Sequence, residues 1–386
     1  MRKMTLFTLS LTLLGAAQAQ GGGTIKIGAI TSVTGRFAEF GKMQLAGFKV
    51  GVEEVNRKGG ILGRKVELVI EDNASDVNKG LAAAERLVNA GVPLVINEYS
   101  SSLVKAQAQY LARQKVPVLV VTSSGDDITK PGNDYVFRLN QPATEYARVI
   151  LNIFRDNKFK TMAVIAGTGA FEKSVADAAQ DLAKSYGITI VEDQRYDKGL
   201  TDFRPVLNRI KAKNPDGILM VSYAEDSVAL MRQAREVGVK PRLFAGGAAG
   251  FALPEFVKDA GSAAESVVTA TAWIPQLRYA GTQKLNVELK KALGGQDPSY
   301  HAAQAYAGVL VAAEAIRRAG GTDREKVKAA LNGLTMQTAF GPIQFKDYEG
   351  FRNQNPLAMV AQQVQGGAFV PVYPKTVVPR KIKFER

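Results

Sequence analysis

Glu98-Tyr99-Ser100-Ser101-Ser102 follows an apolar run of Val92, Leu94, Val95 and Ile96 and precedes an amphipathic stretch over 103–113. The run reads as a buried strand and the stretch as a helix, which puts the serines on a strand-to-helix turn. Hydroxyls and free backbone N–H groups together suit a carboxylate or another anion. The arrangement recurs at Thr122-Ser123-Ser124 after the apolar segment 116–121. Two hydroxyl-rich turns at the carboxyl ends of successive strands mark the ligand crevice of an open α/β sheet.

Outward from that stretch the alternation continues. Strands are expected over 25–30, 65–71, 92–97 and 116–122, and helices over 41–57, 78–90 and 103–113, with Gly59-Gly60 stopping the first helix. After Asn140-Gln141-Pro142 a second series begins, with helices over 145–157, 171–186, 203–213 and 227–237. Its strands fall at 161–166, 189–193, 217–221 and 242–245. Both series predict mostly parallel sheets with helices on both faces, hence two Rossmann-like α/β lobes. The remainder (strands 267–273, 343–346 and 357–364; helices 282–293, 301–318 and 324–331) is too short for a third lobe. It completes the first two. The expected division is 24–141 plus 273–340 for the amino-terminal lobe and 142–272 plus 341–386 for the carboxy-terminal one. A chain that crosses more than once between lobes makes a hinge.

Composition narrows the function. Arg2 and Lys3, an apolar core over 6–14 and Ala17-Gln18-Ala19 read as a secretory signal over 1–19. The expected product is a soluble, exported, periplasmic protein. The 386 residues contain no cysteine, which excludes disulfides, thiol catalysis, cysteine-ligated metal and a lipidated amino-terminal cysteine. A formal charge of +14 raises the question of nucleic acid, but the basic residues are scattered over helices and turns. No nucleic-acid partner is expected. Enzyme chemistry finds little to use. The one histidine, His301, sits in an alanine-rich helical pattern, and no Gly-x-Ser-x-Gly elbow or Walker-type phosphate loop occurs. Gly167-Thr168-Gly169 follows a strand, but Glu172 stands where a dinucleotide fingerprint needs its third glycine. No cofactor or metal is expected.

At this point a family likeness is legible. Gly28-Ala29-Ile30-Thr31-Ser32-Val33-Thr34-Gly35, then Phe40-Gly41, Gly47 and the segment 55–64 (Val-Asn-Arg-Lys-Gly-Gly-Ile-Leu-Gly-Arg) resemble the first βα unit of type I periplasmic binding proteins. Asp72-Asn73-Ala74-Ser75-Asp76, Tyr99-Ser100-Ser101-Ser102, the segment 231–238 and Phe340-Gly341-Pro342-Ile343-Gln344-Phe345 fit the same pattern. The likeness is to the branched-chain amino-acid-binding proteins of ABC transporters and covers essentially the whole mature chain. It implies a monomeric receptor that delivers a small-molecule ligand to permease and ATPase components. It further implies that the ligand's carboxylate meets Tyr99, Ser100 and Ser101, and that Thr122 and Ser124 add polar contacts. Phe40, Phe171 and Tyr223 would hold the apolar part. Amino-acid binders of this type carry an acid on the turn after the strand at 242–245. The matching position here is Gly247. Either Glu98, Glu172 or Asp226 replaces that acid, or the ligand has no ammonium, as in amides and amine-free carboxylic acids, aromatic ones included.

Plainer roles compete with these. Ser100 and Ser101 are also good helix caps, and Glu98 is expected to be a solvated charge on the lobe surface. His301 is expected to be structural and Trp273 to pack near a crossing. A ligand sensor on the same fold would use the same pocket as a transport receptor.

Overall fold

The computed structural model describes residues 23–377 and 380–385. The leader expected over 1–19 lies outside them. The first lobe starts with β1 (Ile25–Thr31), α1 (Ala38–Arg57), β2 (Val66–Asp72) and α2 (Val77–Asn89). It continues with β3 (Val95–Asn97), α3 (Ser101–Arg113), β4 (Val118–Val120) and β5 (Val136–Arg138). β1 is buried everywhere except Lys26, as a strand covered by helices on both faces must be. Asp76 caps α2 by accepting a hydrogen bond from the Lys79 N–H at 2.9 Å.

The second lobe repeats the plan with α4 (Ala143–Asp156), β6 (Thr161–Gly167), α5 (Ala170–Ala183), β7 (Thr189–Tyr196) and α6 (Arg204–Lys213). There follow β8 (Gly217–Val221), α7 (Ala224–Glu236), β9 (Leu243–Gly246), α8 (Pro254–Ala260) and β10 (Val268–Thr271). The chain returns to the first lobe for α9 (Thr282–Ala292), α10 (Tyr300–Ala319), α11 (Arg324–Leu331) and a ribbon of β11 (Thr335–Gln337) and β12 (Pro342–Gln344). β13 (Lys346–Tyr348) and β14 (Phe351–Gln354) precede a last passage to β15 (Val360–Val364) and β16 (Phe369–Tyr373).

The sheet orders are β13-β14-β5-β4-β3-β1-β2 and β16-β15-β10-β9-β8-β6-β7. Each contains the same parallel five-stranded core, with antiparallel pairs only at one edge. In each core the order reverses between the first and third strands, β1/β3 and β6/β8. A crevice opens at that switch point, outside the carboxyl ends of the strands.

The expected division fails at one boundary. β13 and β14 extend the first sheet, so the third crossing falls after Gln354 and not at residue 341. A buried guanidinium explains this: Arg138 on β5 donates from Nε to Gln354 Oε1 at 2.7 Å and from Nη1 to the Gly125 carbonyl at 2.7 Å. A charge so enclosed needs such partners, which fixes β14 beside β5. The crossing itself is held by side-chain amides. Gln141 donates to the Asn355 carbonyl at 2.9 Å and accepts from the Leu357 N–H at 3.0 Å. Trp273, in the second crossing, donates its indole N–H to the Ala339 carbonyl at 3.1 Å and packs there, as expected.

α1 begins at Ala38, three residues before its expected start. Gly41 is a contact residue within the helix: a Cβ there would lie 1.9 Å from the Ser32 carbonyl oxygen. Gly47 plays the same part further on, where α10 passes so close that a Cβ would stand 2.1 Å from the Ala302 carbonyl. The alanine-rich α10 is therefore a core helix, and its first residues, Tyr300 and His301, are buried at the cleft.

Candidate ligand-binding site

On the first lobe, the turns after β1 and β3 are tied together below the cleft. The Ser32 hydroxyl lies 2.8 Å from both Asn73 Oδ1 and Glu98 Oε2, and Asn73 Nδ2 donates to Glu98 Oε1. Glu98 is fully buried, and that burial pushes its carboxyl up to about 7. The expectation of a solvated charge is therefore wrong. Both Glu98 oxygens are occupied inside the lobe, which also removes it as a partner for a ligand's ammonium.

Tyr99 is the next residue and points the other way along the pleat. Its ring stacks on Phe40, with centroids 3.7 Å apart and planes at 9°. Its hydroxyl is buried and meets no hydrogen-bond partner among the described residues. Ser100 is the N-cap residue of α3, yet its side chain makes no cap bond. It faces the Tyr223 hydroxyl from the opposite lobe. Ser101 turns away, accepting from the Gly125 N–H at 2.9 Å and the Ser123 hydroxyl at 3.0 Å. Thr122 is likewise engaged, accepting from Gln44 Nε2 at 2.7 Å, and Ser124 lies against Tyr146. Of the expected hydroxyls, Ser100 faces the second lobe, whereas Ser101 joins the turn after β4 and Thr122 bonds to Gln44 of α1.

Second-lobe residues close over this surface. The Tyr223 ring stands 4.9 Å from Phe37, 5.7 Å from Tyr99 and 6.4 Å from both Phe40 and Phe171. Phe171 in turn meets Tyr146 edge-on at 6.0 Å. Each such pair contributes roughly 0.5–1.5 kcal/mol beyond its buried area. His301 joins from below, 5.1 Å from the Tyr99 ring, and burial pushes its imidazole down to about 3, so it is neutral. Around Tyr99 the phenols of Tyr146, Tyr223 and Tyr300 and the Glu172 carboxylate converge. A cleft of about 280 Å³ opens beside them, lined among others by Arg36, Phe37, Ser100, Glu172, Tyr223 and Asp226.

Glu172, third residue of α5, folds its carboxylate over the turn Gly167-Thr168-Gly169. The glycines leave room for it: a Cβ on Gly169 would stand 2.5 Å from Glu172 Oε2, and one on Gly167 3.0 Å from Oε1. Burial pushes the Glu172 carboxyl up to about 7, against the pull of Arg36. Asp226 is only half-buried and accepts from the Tyr196 hydroxyl at 3.3 Å. Gly247 leaves little room for a side chain. A Cβ there would meet Val221 Cγ2 at 3.0 Å and Val175 Cγ1 at 3.2 Å, inside the second lobe.

Two site residues were not anticipated. Phe37 lies three positions before Phe40 on the same entry to α1, and nothing in the pattern separates them. Arg36 spans the lobes, its guanidinium 5.0 Å from the Phe37 ring and 5.1 Å from the Tyr223 ring. Among the described residues no group of three or more His, Cys, Asp or Glu side chains is placed to hold a metal ion.

Comparison with known proteins agrees with this geometry. Residues 24–368 match the profile of the periplasmic binding protein family. Leu/Ile/Val-binding protein homolog 8 of Brucella abortus is 30% identical over 397 residues, covering 98% of this chain and 96% of its own. The crystal structure of a leucine-binding protein, LivK, from Thermotoga maritima superposes with a TM-score of 0.82 at 24% identity, covering 90% of this chain and 98% of that one. A solute-binding protein of an ABC transporter from R. palustris, in complex with benzoate, reaches 0.80 at 16% identity, covering 91% and 96%. Two lobes of this topology, a crevice at both switch points and a match along nearly the whole chain lead to one assignment: the chain belongs to the periplasmic binding protein family, with the type I fold.

Proposed function

We propose that this protein is the extracytoplasmic receptor of an ABC importer, binding a branched-chain or other apolar amino acid between its lobes. The observation that carries this is the meeting of Phe37, Phe40 and Tyr99 from one lobe with Tyr223 from the other, where Phe171 packs beside Tyr223. Rings supply an apolar enclosure, and the phenol, serine and carboxyl groups among them supply orientation. The ligand docks on the first lobe at Ser100 and Tyr99; closure then brings Tyr223 and Phe171 over it, excludes water and strengthens the polar contacts. The permease recognises the closed form. The Brucella abortus relative is named a Leu/Ile/Val-binding protein homolog, which supports the ligand class.

A second reading, an amine-free carboxylic acid as ligand, draws on Gly247 and on the benzoate held by the R. palustris protein. Refolded protein is screened by thermal shift against leucine, phenylalanine, their keto acids and benzoate, and the compound that stabilises is carried into small-angle scattering. Saturating ligand should reduce the radius of gyration. A scattering profile identical with and without bound ligand refutes closure.

A further inference from the structure

Three acids stood as candidates for the group that would meet a ligand's ammonium, and the structure separates them. Glu98 spends both oxygens on Ser32 and Asn73 within the first lobe. Asp226 is half-exposed and bonded to Tyr196. Glu172 differs from both. It is 3% exposed and its Oε2 is buried without a hydrogen-bond partner, with Arg36 as the cation that acts on it. The Tyr223 hydroxyl hydrogen-bonds to this carboxyl group, and the Tyr99 phenol is close enough to feel its charge. Tyrosine and phenylalanine faces attract cations, and the Phe37 and Tyr223 rings already hold the Arg36 guanidinium at their outer edge. Inside that edge, a buried carboxylate oxygen, the unpartnered Tyr99 hydroxyl and the ring faces form a set of acceptors. Acceptors of this kind fit a primary ammonium, whose three N–H groups each need one.

We infer that Glu172 is the specificity-determining residue that receives the ammonium of the ligand, in place of the acid that Gly247 lacks. The inference rests on the receptor reading above and decides between its two ligand classes. The competing role for Glu172 is structural: its carboxylate lies at the start of α5, where an anion is favoured by the helix dipole. That role predicts a change in stability alone. The groups facing Glu172 are Arg36 from the loop after β1, Asp226 on α7, and the phenols of Tyr99, Tyr196 and Tyr223. With its carboxyl held up to about 7 by burial, Glu172 is largely protonated at pH 6, and an arriving ammonium must displace that proton.

The experiment is titration calorimetry on refolded full-length mature protein with leucine, phenylalanine and their keto acids, in wild type and Glu172→Gln. Wild type should bind an amino acid, and Glu172→Gln should weaken that binding at least tenfold while leaving keto-acid affinity unchanged or improved. In wild type at pH 6, buffers of different ionisation enthalpy should reveal proton release with the amino acid. This second readout needs no variant and stands if Glu172→Gln fails to fold. Unchanged amino-acid affinity in Glu172→Gln, absence of proton release, or wild-type binding of keto acids alone overturns the inference and leaves the receptor standing. Binding of none of these compounds overturns both.

Discussion

Replacing Glu98 by glutamine should change how stability depends on pH, and the size of the change follows from the structure. The carboxyl moves from 4.5 to about 7 because it is fully buried beneath the cleft. The folded protein therefore holds this proton over a pH range in which the unfolded chain has released it. Where the folded state binds more protons, stability falls as pH rises. A shift from 4.5 to about 7, at roughly 1.4 kcal/mol per unit, amounts to about 3 kcal/mol lost between pH 4.5 and 7. Glutamine keeps the neutral form at every pH. It also preserves the hydrogen-bond pattern, because its carbonyl can accept from Asn73 and its amide can donate to Ser32. Two other groups titrate in this window. Glu172 contributes with the same sign, and His301, pushed down to about 3, with the opposite sign, since the unfolded chain gains a proton there as pH falls. Both are common to the two proteins, so the difference between variant and wild type isolates Glu98. Urea unfolding followed by Trp273 fluorescence from pH 4 to 8 measures it. The two proteins should be nearly equal in stability at pH 4, and Glu98→Gln should gain on wild type by about 3 kcal/mol by pH 8. A difference that does not vary with pH refutes the reasoning.

Two further outcomes test the packing and the site. Gly47→Ala should destabilise by at least the roughly 1–3 kcal/mol of ordinary overpacking, because backbone cannot retreat from a Cβ 2.1 Å from the Ala302 carbonyl. Gly321→Ala, which meets nothing within 4 Å, serves as its neutral control in the same thermal melt. Ser101→Ala should cost about 1–3 kcal/mol by stranding the Gly125 N–H and the Ser123 hydroxyl. Ser100→Ala should leave the melting temperature nearly unchanged and weaken ligand binding, as titration of the stabilising amino acid will show. A reversal of that pattern would return Ser101 to the ligand.

The alternation of strand and helix was plain in the sequence because apolar runs and amphipathic stretches follow different periods, and both lobes could be read from it. The position of β14 could not. It depends on Arg138 meeting Gln354 across 216 residues, a pairing that no local pattern encodes. The start of α1 was obscured for a related reason: Gly41 looks like a boundary but exists to admit the Ser32 carbonyl. Within the site, the turn was legible and the direction of its side chains was not. Tyr99 and Phe171 each meet Tyr223, whereas Glu98 points into the lobe and Ser101 into the next turn. At a strand-to-helix junction one residue of offset reverses a side chain, and only the hydrogen-bond partners decide which residue faces the cleft.

The balance between open and closed forms follows from those partners. Ring contacts across the lobes favour closure whether or not a ligand is present, by roughly 0.5–1.5 kcal/mol for each pair. In this conformation the Tyr99 hydroxyl and Glu172 Oε2 are buried without partners. Each stranded group costs about 1–3 kcal/mol, more where it is charged. The two effects have opposite sign. A ligand that fits adds its own apolar contacts and satisfies the stranded groups, so the same atoms that oppose empty closure favour loaded closure. A ligand too short to reach Glu172, or one without a donor for it, leaves that penalty in place and shifts the equilibrium less. Selectivity in this receptor thus resides in the cost of closing as much as in the contacts made on docking.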